Sequence, residues 1–309
     1  MSYEGNMLAK FAMPSRKEVE EALLITLFKH NGVVKEFSSG EEIVNEIADI
    51  FLLNEEQRGV VLERIYKKEN RTVKTPLWHR LLFRAADALA KENLITRPTT
   101  TVRLTNKKEW MLTEEGYDKV LKLQNISLEL KDHFHIHSYE VQKAVKHLSE
   151  SICPQDYNPL KMKRESKKTT RETSIRLRSF RQAVIESYDH CCCICGLKMK
   201  SPDSLSWEVE AAHIVPCSSN GKDDIWNGVA LCRLHHWAFD VGWFSLTGDY
   251  QLLLSSQAGN IPDDHGKIGE SDFFKIGLIQ NKTISLPGNH SHYPHVKSIE
   301  WHRNHVFFP

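Results

Sequence analysis

The sequence predicts an α+β chain of two domains, a mostly helical first half and a metal-stapled second half. Three observations carry this. A length of 309 residues suffices for about two domains of ~100–200 residues each. Hydrophobic positions repeat at helical spacing from residue 15 to about residue 123, with one β-like interruption. Four of the seven cysteines, Cys191, Cys192, Cys193 and Cys195, then fall within five positions. A disulfide framework spreads its cysteines over the loops that it closes, so the cluster points to metal binding.

Composition narrows the class. Hydrophobic residues at 40% and charged residues at 26% are the balance of an ordinary soluble protein, not of a disordered or collagenous one. The longest apolar stretch, Ala22 to Phe28, falls far short of the ~20 residues that cross a bilayer. The opening residues also lack the apolar region of a signal peptide. No membrane and a cytoplasmic location are expected. Lys and Arg number 41 against 40 Asp and Glu, so bulk charge does not mark a nucleic-acid binder. Local charge differs: residues 161–181 hold nine basic side chains against Glu165 and Glu172. Such a run by itself fits a solvated linker.

The elements follow in order. Residues 17–30 place Val19, Leu23, Leu24, Leu27 and Phe28 on one helical face. Ser39 and Glu42 form the capping-box pattern of a second helix through Ile43, Ile47 and Phe51, and Asn54 caps a third through Val60, Val61 and Ile65. Thr75-Pro76 opens a fourth, running to about Asn93, with Pro at its first position. Its apolar stripe is Trp78, Leu82, Ala85, Ala86 and Leu89, which leaves His79, Arg80, Arg84, Asp87 and Lys91 to solvent or a partner. Residues 96–113 read as a β-hairpin with a polar, basic tip of Asn106, Lys107 and Lys108. A further helix follows from Thr113 to Leu123.

Several helices followed by a basic hairpin is the order of a winged helix-turn-helix, whose last long helix enters the major groove while the wing touches the backbone. Arg80, Arg84, Arg103, Lys107 and Lys108 are then the candidate DNA contacts; a protein-binding role for the same half stays open. The helices, the Leu94-Ile95 step, the hairpin and the run from Trp110 through Leu112-Thr113-Glu114-Glu115-Gly116 also resemble the N-terminal winged-helix domain of Mrr-type restriction proteins. The expected division is 1–125 as this domain, 126–175 as a linker with one helix near 138–149, and 176–309 as the second domain.

That second domain carries the chemistry. Cys192 and Cys195 are spaced as a knuckle that holds one tetrahedral zinc, and Cys232 with His235 supplies the other pair. A register slipped to Cys191 or Cys193 stays open. His213 lies in a strand-like run over 208–215; a loop leads to Asn227 and a short apolar strand over 229–231. His236 and Asp240 are four apart on the predicted helix that follows, so they share a face and can share a divalent cation. Strand, loop, strand and helix make a ββα unit.

These residues, Ala211-Ala212-His213-Ile214, Asn227-Gly228, His235-His236 and Phe239-Asp240, with a tail from Leu286-Pro287 through Trp301-His302-Arg303 to Phe307, resemble the restriction-type branch of the HNH nuclease superfamily over roughly 180–309. The resemblance implies hydrolysis of phosphodiesters in double-stranded DNA by a zinc-stapled ββα-metal domain. It makes His213, three residues before Pro216, the general base, and Asn227 the residue that orients it, where the bland reading is a simple Asn-Gly turn. His236 and Asp240 would hold Mg2+ or Mn2+, with His236 counted among the catalytic residues, and the cysteine pairs would hold structural Zn2+. One departure stands out: many members have Asp or His before the base, and this chain has Ala212. Glu210 is the candidate replacement, although strand alternation puts it on the face opposite His213.

Beside a nuclease, the basic run reads as phosphate-attracting, which adds Lys167 and Lys168 to the candidate DNA contacts. Two other function classes compete: a non-enzymatic DNA-binding regulator with a dead site, and a nuclease whose first half binds a protein partner. A homodimer is open to all three.

Overall fold

The computed structural model describes residues 3–66, 71–161, 169–260 and 277–309. The chain divides into two compact units, Met1–Gln142 and Lys143–Pro309. The stretch expected as a linker is shared between them: Ile136 and Val141 are fully buried in the first, and Tyr157 is buried in the second.

The first unit opens with α1 (Tyr3–Lys10) and α2 (Arg16–Lys29). Ser15 and Glu18 close a reciprocal capping box at the start of α2, and Val19, Leu23, Leu24 and Leu27 go fully into the core. After β1 (Val33–Lys35), α3 (Glu41–Ile50) begins one residue later than the expected Ser39 cap. Gly40 occupies the cap position, and the Ser39 hydroxyl instead donates to the Glu36 carbonyl. Asn54 and Gln57 do form a capping box, but the helix they open, α4 (Glu55–Gly59), lasts only five residues.

The continuation expected as helix through Val61 and Ile65 is a strand, β2 (Val61–Tyr66), paired antiparallel with β3 (Arg71–Pro76). The two strands bring together the β-formers Val61, Ile65, Tyr66, Thr72, Val73 and Thr75, and that preference prevails where the apolar spacing fits either period. Next comes α5 (Leu77–Lys91), with Pro76 at its cap and the expected stripe buried together with Leu77 and Leu81.

The hairpin expected over 96–113 is corrected. β4 (Ile95–Thr96) and β5 (Glu109–Leu112) do pair antiparallel, but α6 (Pro98–Thr105) connects them. Pro98 sits at a first helical position, where its missing N–H costs nothing. The threonines expected to favour a strand serve the helix: the Thr101 and Thr105 hydroxyls donate to the carbonyls of Arg97 and Thr101. Asn106, in the left-handed region at φ 60°, ends it. The three-stranded sheet has the order β1–β5–β4. α7 (Glu114–Leu123), capped by Thr113, and α8 (Tyr139–Glu150) follow.

In the second unit, α9 (Thr170–Ser187) carries the C-terminal part of the basic run. An antiparallel pair, β6 (Val209–His213) and β7 (Gly228–Cys232), leads directly into α10 (Arg233–Asp240). The strand-strand-helix unit expected from the sequence is therefore present. Phe180 and Val184 of α9 pack on its core with Ala212, Val229 and Phe239. The approach is close: a Cβ on Gly228 would lie 2.4 Å from a Val184 methyl. A second pair, β8 (Phe244–Leu246) and β9 (Leu252–Leu254), and then α11 (Val296–His305) complete the unit. No helix among the described residues is long and apolar enough to cross a membrane.

His302 of α11 clamps the end of α10. Its ring stacks on Phe239 at 3.7 Å between centroids, Nε2 donates to the Phe239 carbonyl, and Nδ1 accepts from the Ser245 hydroxyl. Burial pushes this imidazole down to about 4, partly offset by its bond to the Phe239 carbonyl. The ordinary value is ~6.5, so between the two pH values the unfolded chain binds the extra proton and stability falls with acidification. The His302 contribution should be complete above pH ~6.5 and should lose up to about 3 kcal/mol by pH ~4. Melting curves of the protein and of His302→Gln should therefore converge on acidification. Parallel curves from pH 7 to 4 would show that His302 does not act this way.

Candidate active site

The cysteine pairs meet around one point. Cys192, Cys195, Cys232 and His235 each offer a donor atom within 4.8 Å of the others. The knuckle is built locally: the Gly196 N–H donates to the Cys192 carbonyl, and Gly196 turns the chain at φ +74°, a conformation costly for other residues. Cys232 ends β7 and caps α10, which places His235 in the first turn with Nδ1 at 3.0 Å from the Cys232 sulfur and 3.5 Å from the Cys192 sulfur. The hydrogen bond from Cys232 holds the Cys192 thiol below the usual range against the opposing effect of burial. Three thiols and an imidazole, mostly buried and already sharing protons, fit a tetrahedral zinc ion. Cys193 lies outside the group, buried in the core. The register over Cys192 is the one that the fold uses for this cluster.

His213 ends β6 and is only 18% exposed in its side chain. Phe180 stacks on its ring at 3.9 Å, and Nε2 donates to Asp223 Oδ1 at 2.9 Å. Asp223 was not singled out in the sequence. Its side chain is 2% exposed, and its other oxygen, Oδ2, takes Lys161 Nζ at 3.0 Å and Arg176 Nε at 3.1 Å. Burial alone would raise this carboxyl; the hydrogen bonds from His213 and Lys161 and the charges of Lys161 and Arg176 hold it well below the usual range. Two members of the basic run thus serve to keep an aspartate ionised beside the histidine. With Nε2 committed as the donor, Nδ1 is the nitrogen left to accept a proton.

Asn227 is fully buried, and its amide ties the loop together. Oδ1 accepts from the Val215 N–H at 2.8 Å, and Nδ2 donates to the carbonyls of Val215 at 3.0 Å and Lys222 at 2.9 Å. It fixes the backbone just after His213 rather than touching the ring. Asp224 supports it from below by accepting from the Asn227 N–H and from the Tyr157 hydroxyl. The simple-turn reading is not what the structure has.

On α10, His236 stands between two carboxylates. Nδ1 donates to Glu210 Oε2 at 2.9 Å, and Nε2 lies 3.5 Å from Asp240 Oδ2. The alternation rule separates Glu210 from His213, yet the carboxylate of Glu210 arrives at His236, and Asp240 is close enough to both Glu210 and His213 to feel their charges. Burial lowers the affinity of His236 for a proton, but the bond to Glu210 and the charges of Asp240 and Glu210 outweigh it and raise its pKa. The two carboxylates are donors that suit Mg2+ or Mn2+, and the imidazole adds one that suits a softer divalent ion. Glu210 and Asp240 meet opposite nitrogens of the ring, so the three side chains could join one cation only after a rotation.

Residues 192–247 match the HNH endonuclease family. The matched segment runs from the first cysteine of the knuckle through His213, Asn227, His236 and Asp240 to the strand after α10, and it supports a nuclease role. Among solved structures, the chain is similar to a modification-dependent TagI restriction endonuclease, at 19% identity and a TM-score of 0.31, over 41% of this chain and 37% of that one. No curated protein matches.

The candidate DNA contacts lie in the first unit and in the basic run. Arg80 and Arg84, on α5, both pair with the buried Glu4 carboxylate, at 2.7 and 2.6 Å. Arg103 is on α6, Lys107 is exposed, and Lys108 lies 3.8 Å from Glu36. These three therefore follow a helix and its terminating turn instead of a hairpin tip. Lys167 and Lys168 lie outside the described residues.

Proposed function

We propose that this protein is a restriction-type DNA endonuclease that hydrolyses phosphodiester bonds at the site built from His213, Asn227 and His236. The observation that carries the reading is the coincidence of the family match over 192–247 with a ββα unit in which His213 is oriented by a buried, ionised Asp223. In the proposed reaction, Nδ1 of His213 takes the proton of the attacking water while Asp223 holds Nε2. Asn227 keeps the 215–222 loop, and with it His213, in place. Glu210, His236 and Asp240 would hold Mg2+ or Mn2+. Such a cation, when bound, neutralises charge on the phosphate and on the leaving oxygen. The Cys192, Cys195, Cys232 and His235 group would hold Zn2+ as a structural staple.

The first unit is proposed to act as a winged helix that selects or senses duplex DNA, including modified DNA. Its antiparallel β1–β5–β4 sheet, with α2 before β1 and α3 and α5 between β1 and β4, supports this. Arg103, Lys107 and Lys108 are its best phosphate contacts, because Arg80 and Arg84 would have to exchange Glu4 for DNA. Lys167 and Lys168 are proposed to add to them. The proposed setting is cytoplasmic, and a homodimer would let two sites act on the two strands.

The test is incubation of the full chain with unmodified and modified duplex DNA, with Mg2+ or Mn2+ or with EDTA. Cleavage that needs the cation and is lost in His236→Ala is the expected result. DNA binding with no cleavage under any of these conditions would favour the non-catalytic regulator.

A further inference from the structure

A second set of metal donors lies against the proposed base. Cys217, exposed in the turn after Pro216, places its sulfur 3.4 Å from His213 Nε2 and 3.3 Å from Asp223 Oδ1. With the 2.9 Å between His213 and Asp223, the three donor atoms form a compact triangle. A tetrahedral ion with bonds of about 2.0–2.3 Å spaces its ligands about 3.3–3.8 Å apart, so two sides fit and the third opens by a few tenths of an ångström.

The two oxygens of Asp223 have separate partners. Lys161 and Arg176 both bind Oδ2 of Asp223, which leaves Oδ1 turned toward His213 and Cys217. The turn is held independently of the cysteine: the Gly221 N–H donates to the Pro216 carbonyl, and a Cβ at Gly221 would lie 1.8 Å from the Val215 carbonyl oxygen. Nothing in the proposed hydrolysis uses a thiol at this position.

We propose that His213 Nε2, Cys217 Sγ and Asp223 Oδ1 form an inhibitory site for Zn2+ or a similarly soft divalent cation. A thiolate and an imidazole select such ions over Mg2+. On binding, the Cys217 sulfhydryl gives its proton to solvent as the sulfur–metal bond forms, and His213 gives up the hydrogen on Nε2 to make room for the metal while taking one from solvent at Nδ1, so the imidazole stays neutral. No electron is transferred. Thiolate and carboxylate together balance the charge of the ion, and the fourth position stays open to solvent. The ring is then fixed by metal at Nε2, which loses its bond to Asp223, and Nδ1 carries the ring's hydrogen, so the nitrogen that would take the proton of water is no longer free to accept one. Inhibition, but not binding, rests on His213 being the base.

The experiment compares the full chain with Cys217→Ser, both purified with the Cys192 cluster loaded. Each is titrated with Zn2+ and, separately, Cd2+, read by bound metal per chain and by the thiolate-to-cadmium absorption. Cleavage is followed at saturating Mg2+ with rising Zn2+. The parent chain should bind one more equivalent than Cys217→Ser, and zinc should inhibit it at concentrations lower by about 10-fold or more. Zn2+ should also protect Cys217 from alkylation, read peptide by peptide. Equal stoichiometry in the two proteins, with no protection, overturns the site. The extra equivalent with equal zinc inhibition upholds the site and overturns the role of His213 as base. The extra equivalent in a protein that cuts no DNA upholds the site and overturns the nuclease reading.

Discussion

Replacing His213 with alanine should lower DNA cleavage by about 10²–10⁴-fold, the usual worth of a general base, without unfolding the second unit. The ring is partly exposed and stacks on Phe180, so its removal leaves a gap at the edge of the core rather than inside it. The substitution also strands little charge, because Asp223 keeps Lys161 and Arg176. DNA binding should persist, since phosphate affinity comes from basic side chains elsewhere. Asp223→Asn should give a smaller loss together with a changed pH profile, because an amide orients the ring but does not stabilise it once protonated. The measurement is single-turnover cleavage with melting temperatures for both variants. Cutting by His213→Ala at the rate of the parent would remove His213 from the reaction. A melting temperature that collapsed along with activity would leave a structural role as the explanation.

The division between what the sequence disclosed and what it hid follows the range of the interactions. The Cys192–Cys195 and Cys232–His235 pairs, the ββα order and the buried stripe of α5 are local patterns, with spacings of three or four residues that map directly onto a turn or a helix face. Asp223 is ten residues from His213 and reaches it through a loop whose path depends on the buried Asn227 amide. Its only sequence signal was a pair of aspartates between two candidate site residues, and such pairs are common in loops. Glu210 was placed by strand alternation, which assigns faces of a flat strand; a long carboxylate on a twisted one still reaches the helix packed beside it. The misread hairpin has the opposite cause. Threonine-rich residues 98–105 look like strand by preference, yet a proline at the first turn and hydroxyls bonded to the preceding turn make them helix.

Cys232→Ser should destabilise the second unit on the order of 5 kcal/mol or more, given that a structural zinc site supplies apparent binding energies of ~10–16 kcal/mol in small domains. Cys232 joins more than two ligands. It ends β7, opens α10, and sits in the same core as Cys192, Val209 and Phe239. Loss of the ion would therefore free the helix that carries His236 and Asp240 from the strand that carries Glu210. A cost of that size is comparable to the whole stability of a typical domain, ~5–15 kcal/mol, so low solubility and a melting transition lowered by tens of degrees or absent are expected. A chelator strong enough to strip the parent protein should reproduce the effect, and restored Zn2+ should reverse it in the parent but not in the variant. Elemental analysis of protein purified without chelator should find zinc at one or more per chain. Zinc-free protein that melts as the parent does would mean that the four donors are simply packed thiols and an imidazole. The proposed catalytic geometry would then rest on the Phe180, Val184 and His302 contacts alone.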